Sequence, residues 1–339
     1  MKKEYPYLDT QQEKLIEEIQ KLMEERGRKP LEMARKAVLE EKIECKEAKE
    51  ALHYFITEYW HDLARPTLLS ICCEAVGGDP NATIPFAVPL SLISGALDIH
   101  DDIIDQSKTK HGRPTVYGKY GKEIALLAAD ALLFKGFTLL QEACMKIPKR
   151  KALKIMKTIK DMFYELGDAE AQELKLRGRL DITPEEYLRI IEKKAADVEA
   201  HTRIAAIIGN GTHKEQTVLG RYGRLLGIVI LLGDDIMDMF DYEEMRHRIK
   251  MEHLPLPVIY ALQKEKTKKV ITLFLKSKKR FLKKDFEMFH EKIQKAGGLK
   301  YIDSLITEIN SEMLHQLRNI KRNRVLMELL FRSSIPTLK

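Results

Sequence analysis

Little in this sequence suits a secreted, fibrous or membrane-spanning protein. Its 339 residues include four cysteines, Cys45, Cys72, Cys73 and Cys144, at spacings that fit neither a zinc site nor a disulfide framework. All four are therefore expected as reduced thiols of a cytoplasmic protein. The opening Met1-Lys2-Lys3-Glu4-Tyr5 lacks the apolar run of a secretory signal. No uninterrupted apolar stretch approaches the roughly 18 to 20 residues that a bilayer span requires. Aromatic residues are only 7% of the chain and do not interleave with its basic runs, so a stacking platform for nucleic acid is excluded. Glycine and proline number 18 and 12, repeats and low-complexity linkers are absent, and no period-2 alternation is long enough for a strand.

Helix formers fill the space left by those absences. Hydrophobic residues make up 44% and charged residues 32%, enough for a sizeable core under a solvated surface. The net charge of +7 gathers in two runs, 264–269 and 276–284. These read as solvated helix faces that also suit a transient membrane-surface contact. Apolar spacings of three and four predict short helices over 11–59, then helices near 66–77, 85–105, 122–146, 152–177, 184–209, 215–242, 258–294 and 298–331. Gly112, Pro114, Gly118 and Gly121 mark 108–121 as a loop. One domain over 1–339 is the economical organisation, with N-terminal helices over 1–60 and a catalytic core over 61–339.

Chemistry concentrates in two acidic clusters. Asp98, Asp101, Asp102 and Asp105 stand at i, i+3, i+4 and i+7, which brings all four carboxylates to one face of a helix. Asp234-Asp235-Ile236-Met237-Asp238 repeats the i, i+1, i+4 arrangement among apolar neighbours. A single such cluster is as readily a solvated face. Two of them, each in an apolar helix, need a cation to offset their burial. Mg²⁺ suits hard oxygen ligands and is commonly shared with substrate phosphates, so two opposed acidic helices would hold a diphosphate through bridging metals.

Asp101-Asp102-Ile103-Ile104-Asp105 resembles the first aspartate-rich motif of the trans-isoprenyl diphosphate synthase, or polyprenyl synthetase, family, and Asp234-Asp235-Ile236-Met237-Asp238 resembles its second. The likeness extends to Gly112-Arg113-Pro114-Thr115-Val116, to Leu127–Leu132 and to Leu256–Leu262, and covers about Arg65 to Leu262. It implies an all-α, single-domain isoprenoid synthase bundle around a central cavity, usually a homodimer. It also implies about three Mg²⁺ ions that draw the diphosphate from an allylic isoprenyl substrate, whose cation then alkylates an acceptor, normally isopentenyl diphosphate. Carried over by position, Asp101, Asp102, Asp105, Asp234 and Asp238 become metal ligands, with Asp235 beside them as another. Lys110 and one of Lys193 or Lys194 would bind the allylic diphosphate.

The family's acceptor site is basic, and this sequence departs from it. Its Gly-Gly-Lys-Arg-x-Arg-Pro element reads Trp60-His61-Asp62-Leu63-Ala64-Arg65-Pro66 here, so Arg65 survives and an acid replaces the lysine. Ser94 stands in place of a Gln or His, and the two arginines after the first motif are Lys110 and His111. His253 replaces a lysine beyond the second motif, with Lys250 or Arg248 as substitutes. Asp62 would repel a second diphosphate. The expected acceptor is therefore a neutral, hydroxylated molecule, oriented or deprotonated by Asp62, with Asp98 as the other candidate base. Asp62 reads equally as a helix cap, and Asp98 as the partner of a nearby Lys or Arg. Ala96 and Leu97, one turn before the first motif, are not aromatic, which leaves room for a donor of about four or more isoprene units.

The expected function is a Mg²⁺-dependent prenyltransferase that uses an allylic donor and an acceptor other than isopentenyl diphosphate. Its rivals are a conventional polyprenyl diphosphate synthase, a terpene cyclase and a non-catalytic subunit of a synthase.

Overall fold

The computed structural model describes residues 10–110, 112–276, 283–320, 322 and 327. His111, the 277–282 part of the second basic run, and most of the chain beyond 320 lie outside the described residues. The described chain is helical apart from one two-residue hairpin, as the sequence leads one to expect. In chain order the helices are α1 (Thr10–Leu39), α2 (Lys46–His53), α3 (Ala64–Ala75), α4 (Ile84–Ile104), α5 (Val116–Tyr120), α6 (Lys122–Met145), α7 (Lys149–Leu174) and α8 (Pro184–Lys194). There follow α9 (Ala196–Ile208), α10 (His213–Asp238), α11 (Tyr242–Met251), α12 (Leu256–Leu262), α13 (Glu265–Lys276), α14 (Lys283–Lys295) and α15 (Gly298–Leu317).

Local chemistry explains the helix starts nearest the acids. Thr183 Oγ1 accepts the Glu186 amide at 3.1 Å and Pro184 takes the first turn of α8, where no backbone donor is missed. Thr212 and Glu215 form a reciprocal capping box at the start of α10.

Several boundaries differ from the sequence expectation. The described N-terminal part begins with one 30-residue helix that carries Pro30 inside it. One missing amide does not end a helix whose buried face, including Leu31, Ala34 and Val38, packs into the core. The expected loop over 108–121 contains a hairpin pairing Thr109–Lys110 with Arg113–Pro114, followed by α5. The helix expected over 184–209 breaks at Ala195, against which Gly227 of α10 is pressed. The helix expected over 258–294 breaks at 263–264, between α12 and α13.

The core has two large parts. One gathers α3, α9, α10, α12 and α15, and the other gathers α1, α2, α4 and α6 around Phe55 and Trp60. Since α1 packs on both α3 and α4, position 60 does not separate two cores. Helices α4 and α6 pack closely at Gly136 of α6, where a Cβ would meet Ile93 Cγ1 at 2.7 Å and the Pro89 carbonyl at 3.0 Å. Contrary to the sequence expectation, Pro80–Ile104 has the length and composition of a membrane span. Its most apolar window is 72% buried within the protein, which makes it a core helix.

Candidate active site

Helix α4 carries Asp98, Asp101 and Asp102 on its last turns and ends at Asp105. The hairpin folds Lys110 back over them, with Nζ 3.1 Å from Asp101 Oδ2 and 2.9 Å from Asp102 Oδ1. Arg177, just past α7, donates to Asp105 Oδ1 and to the Ile104 carbonyl. Burial pushes Asp102 up to about 6, with Lys110 opposing. Burial also drives Asp105 up to about 8, reinforced by Asp101, Glu252 and Glu173.

The second motif ends α10, and its two adjacent aspartates part company. Asp234 is exposed toward the site, and burial with repulsion from Asp238 and Asp235 pushes it up to about 6. Asp235 is 1% exposed and fully engaged within the protein. It accepts the Tyr187 hydroxyl at 2.9 and 3.0 Å, Arg248 Nη1 at 2.8 Å and the Leu256 amide at 2.9 Å. The expectation of Asp235 as a metal ligand is corrected on this ground, because residues one apart on a helix point about 100° apart. Asp238 keeps the Asp234 face and shares Arg248 Nη1 at 2.6 Å.

The two rows of acids share one site. His247 of α11 lies 3.1 Å from the Asp105 carbonyl and 3.2 Å from Ser107 Oγ, tying the end of α4 to the helix that follows the second motif. Lys110, bound to the first motif, also acts electrostatically on Asp234. Lys194 of α8 pairs with Glu170 and Glu173 of α7 and feels Asp101. Burial drives Glu170 up to about 7, against the pull of Lys194. For Glu173, burial would raise the carboxyl, but His253 and Lys194 outweigh it and hold the group well below its usual range.

Among the described residues, no three or more His, Cys, Asp or Glu side chains converge closely enough to hold a metal ion. Each acid except Asp234 instead has a cation of the chain's own beside it. The donor set nevertheless suits a hard divalent cation: it is all carboxylate, Lys110 places an ammonium against Asp101 and Asp102, and Asp105 and Asp234 are raised by burial and by their acidic neighbours.

The region expected to face the acceptor is organised around Arg65 on the first turn of α3. Asp62 Oδ1 accepts the Ala64 and Arg65 amides, while its Oδ2 and Asp197 Oδ2 take Arg65 Nη1 and Nε at 2.7 and 2.9 Å. Asp62 therefore caps the helix and pairs with Arg65, the helix-cap reading that the sequence also offered, and Oδ2 carries one hydrogen bond. Asp98 accepts the Trp60 indole N–H on Oδ2 at 3.0 Å, and its carboxyl is raised by burial, with Arg65 opposing. Tyr59 stands where the two sides meet, its phenol pushed up to about 12 by burial and by Asp102.

Other expected residues lie elsewhere. Lys193 points outward to Asp168 and lines a surface cleft of about 690 Å³ with Arg189, Arg203, Arg221 and Arg224, so Lys194 alone of the pair faces the acids. Lys250 is exposed on α11, and Arg248 is the basic residue beside the second motif. Ser94 and Ala96 are buried in α4, Ala96 completely, in the cluster that contains Phe55 and Trp60. Arg177, Glu170, Glu173, Tyr187, His247 and Glu252 were missed in the sequence. Only Glu170 and Glu173, three apart on α7, gave any signal, since the others reach the site from turns or single positions.

A family model described as polyprenyl synthetase matches residues 46–291. The geranylgeranyl diphosphate synthase of Methanosarcina mazei is 28% identical over 274 residues, 78% of this chain and 82% of that protein. The short chain isoprenyl diphosphate synthase of Methanothermobacter thermautotrophicus is 35% identical over 182 residues, 53% of this chain and 55% of its own length. Among solved structures, geranylgeranyl pyrophosphate synthetase from Pyrococcus horikoshii superposes with a TM-score of 0.83 at 26% identity, over 95% of this chain and 100% of that one.

Proposed function

This chain belongs to the polyprenyl synthetase family and is a prenyltransferase, and from that premise we propose that it ionises an allylic isoprenyl diphosphate and delivers the prenyl cation to an acceptor other than isopentenyl diphosphate. Asp101, Asp102, Asp105, Asp234 and Asp238 would hold about three Mg²⁺ ions, as the resemblance implies. Magnesium bound there supplies the positive charge that stabilises a departing diphosphate. Lys110 and Lys194 would take the diphosphate oxygens, both having their charged form favoured by surrounding acids despite burial.

The observation that carries the acceptor reading is the clamp on Arg65. Its guanidinium is bound by Asp62 and Asp197, with Asp98 close by and His201 also paired to Asp197, so the one arginine where a second diphosphate would have to sit already has its carboxylate partners. A dianion there would have to displace them. A neutral acceptor with a hydroxyl group meets a hydrogen-bond acceptor in Asp98, whose Oδ2 is fixed by Trp60. The donor we assign has about four or more isoprene units, on the small Ala96.

A homodimer is the assembly we assign, supported by large apolar side chains exposed along α6 and α7, among them Phe134 at 75% and Leu153 at 60%. A cytoplasmic location fits four free cysteines.

The names of the relatives favour the rival reading, a synthase that condenses with isopentenyl diphosphate. Incubating purified chain, Mg²⁺ and labelled allylic diphosphates of several lengths, with isopentenyl diphosphate or with a cell extract, separates the two. Pyrophosphate release and a prenylated product from extract alone support our reading. Ordinary turnover of isopentenyl diphosphate would establish the rival, and a cyclic hydrocarbon from donor alone would make the protein a cyclase.

A further inference from the structure

A buried chain of hydrogen bonds behind the second motif leads from α7 to Asp238. Lys194 pairs with Glu173; Glu173 Oε1 lies 2.9 Å from His253 Nδ1; His253 Nε2 lies 2.5 Å from Arg248 Nη2 and 3.3 Å from the Tyr187 hydroxyl. Arg248 then divides Nη1 between Asp235 and Asp238. Its side chain is 7% exposed and that of His253 is 9% exposed.

The donors fix the tautomer. A guanidinium only donates, so His253 Nε2 must accept from it, which leaves the ring proton on Nδ1 to be donated to Glu173. The Tyr187 proton goes to Asp235, a pure acceptor. A planar guanidinium whose Nη2 is anchored on one side cannot rotate freely, so its Nη1 is held between the two acids. The hydrogen bond it gives Asp238 falls on Oδ2 alone. Without the anchor, Nη2 needs another acceptor, and since Nη1 already lies 2.6 Å from Asp238 Oδ2, a two-pronged grip on Asp238, the geometry that arginine favours, is open to it.

We propose that His253 is a positioning residue for the second aspartate motif: it holds the Arg248 guanidinium on Asp235 and so keeps Asp238 open to a metal ion. The inference rests on the reading that Asp238 takes metal. It also joins the two ends of the site, because Glu173, which orients His253, is the partner of Lys194. Charged and titratable groups face this histidine from each packed element: Glu173 from α7, Tyr187 and Lys194 from α8, Asp235 from α10, and Arg248 with Glu252 from α11 and its end.

Mn²⁺ is the probe, titrated into the full chain with free ion followed by electron paramagnetic resonance. His253→Leu should bind Mn²⁺ about 10-fold more weakly than wild type, the scale on which outer-shell partners act. His253→Gln, whose carbonyl can accept from Arg248 while its amide donates to Glu173, should restore wild-type affinity. In an Arg248→Lys background, His253→Leu should have no further effect. Should the leucine variant fail to fold, His253→Lys, which gives Glu173 a partner but Arg248 no acceptor, must show the same loss. Wild-type affinity in folded His253→Leu, or equal losses in the leucine and glutamine variants, overturns the inference while leaving the metal reading intact. Absence of Mn²⁺ binding by the wild-type chain instead overturns the metal reading itself.

Discussion

Asp234 and Asp235 are chemically identical neighbours to which the structure gives opposite tasks, so exchanging each for asparagine tests the site assignment directly. Asp235→Asn keeps the shape but removes the charge that offsets Arg248, whose side chain is 7% exposed. Removing one partner of a buried pair costs about 3–5 kcal/mol. Asp238 still touches Arg248, so the lower end applies, about 3 kcal/mol. For a chain of 339 residues that lowers Tm by about 4 °C. Asp234→Asn removes a carboxylate already disfavoured by burial and by Asp238 and Asp235, so Tm in EDTA should hold or rise. Mg²⁺-dependent pyrophosphate release should fall by about 10²-fold or more in Asp234→Asn, since charge placed at the reacting diphosphate is lost. Differential scanning fluorimetry in EDTA and in Mg²⁺, alongside the release assay, reads both effects. Equal Tm losses in the two variants, or a greater loss of metal dependence in Asp235→Asn, would refute the division of labour.

Three further outcomes follow from the same geometry. Asp102 and Asp234 near 6, Glu170 near 7 and Asp105 near 8 bind protons more tightly folded than unfolded, so metal-free Tm should fall between pH 5.5 and 8, and Mg²⁺ should flatten that slope; a rising metal-free Tm over this range would contradict the assignment. Lys110→Met should cut kcat/KM for the allylic donor by about 10²-fold and Lys110→Arg should recover most of it, as measured by pyrophosphate release. Ala96→Phe should shorten the longest donor accepted in the product mass spectrum at a stability cost of about 1–3 kcal/mol, because Ala96 is fully buried; an unchanged donor profile removes Ala96 from the cavity floor.

The sequence exposes the acids because carboxylates among apolar residues are conspicuous, and helical spacing puts Asp101, Asp102 and Asp105 together. It conceals which of two adjacent residues turns inward. Asp234 or Asp235, and Lys193 or Lys194, depend on the phase of α10 and α8, which packing against α9, α12 and α7 sets. The partners that matter most come from far along the chain: Arg177 lies 72 residues from Asp105, and Asp197 lies 132 residues from Arg65. No local pattern encodes contacts at that range. The two-residue hairpin that delivers Lys110 is likewise too short for any alternation to reveal.

A catalytic centre that carries internal counter-charges for nearly all its acids can be assembled before any divalent ion arrives. Loading would then be an exchange, in which Lys110 and Arg248 would give up carboxylate oxygens to the ion. Demetallated protein should consequently survive magnesium starvation intact and be ready for reuse. A descendant that lost Asp234 would keep its architecture, ending as a durable, silent scaffold.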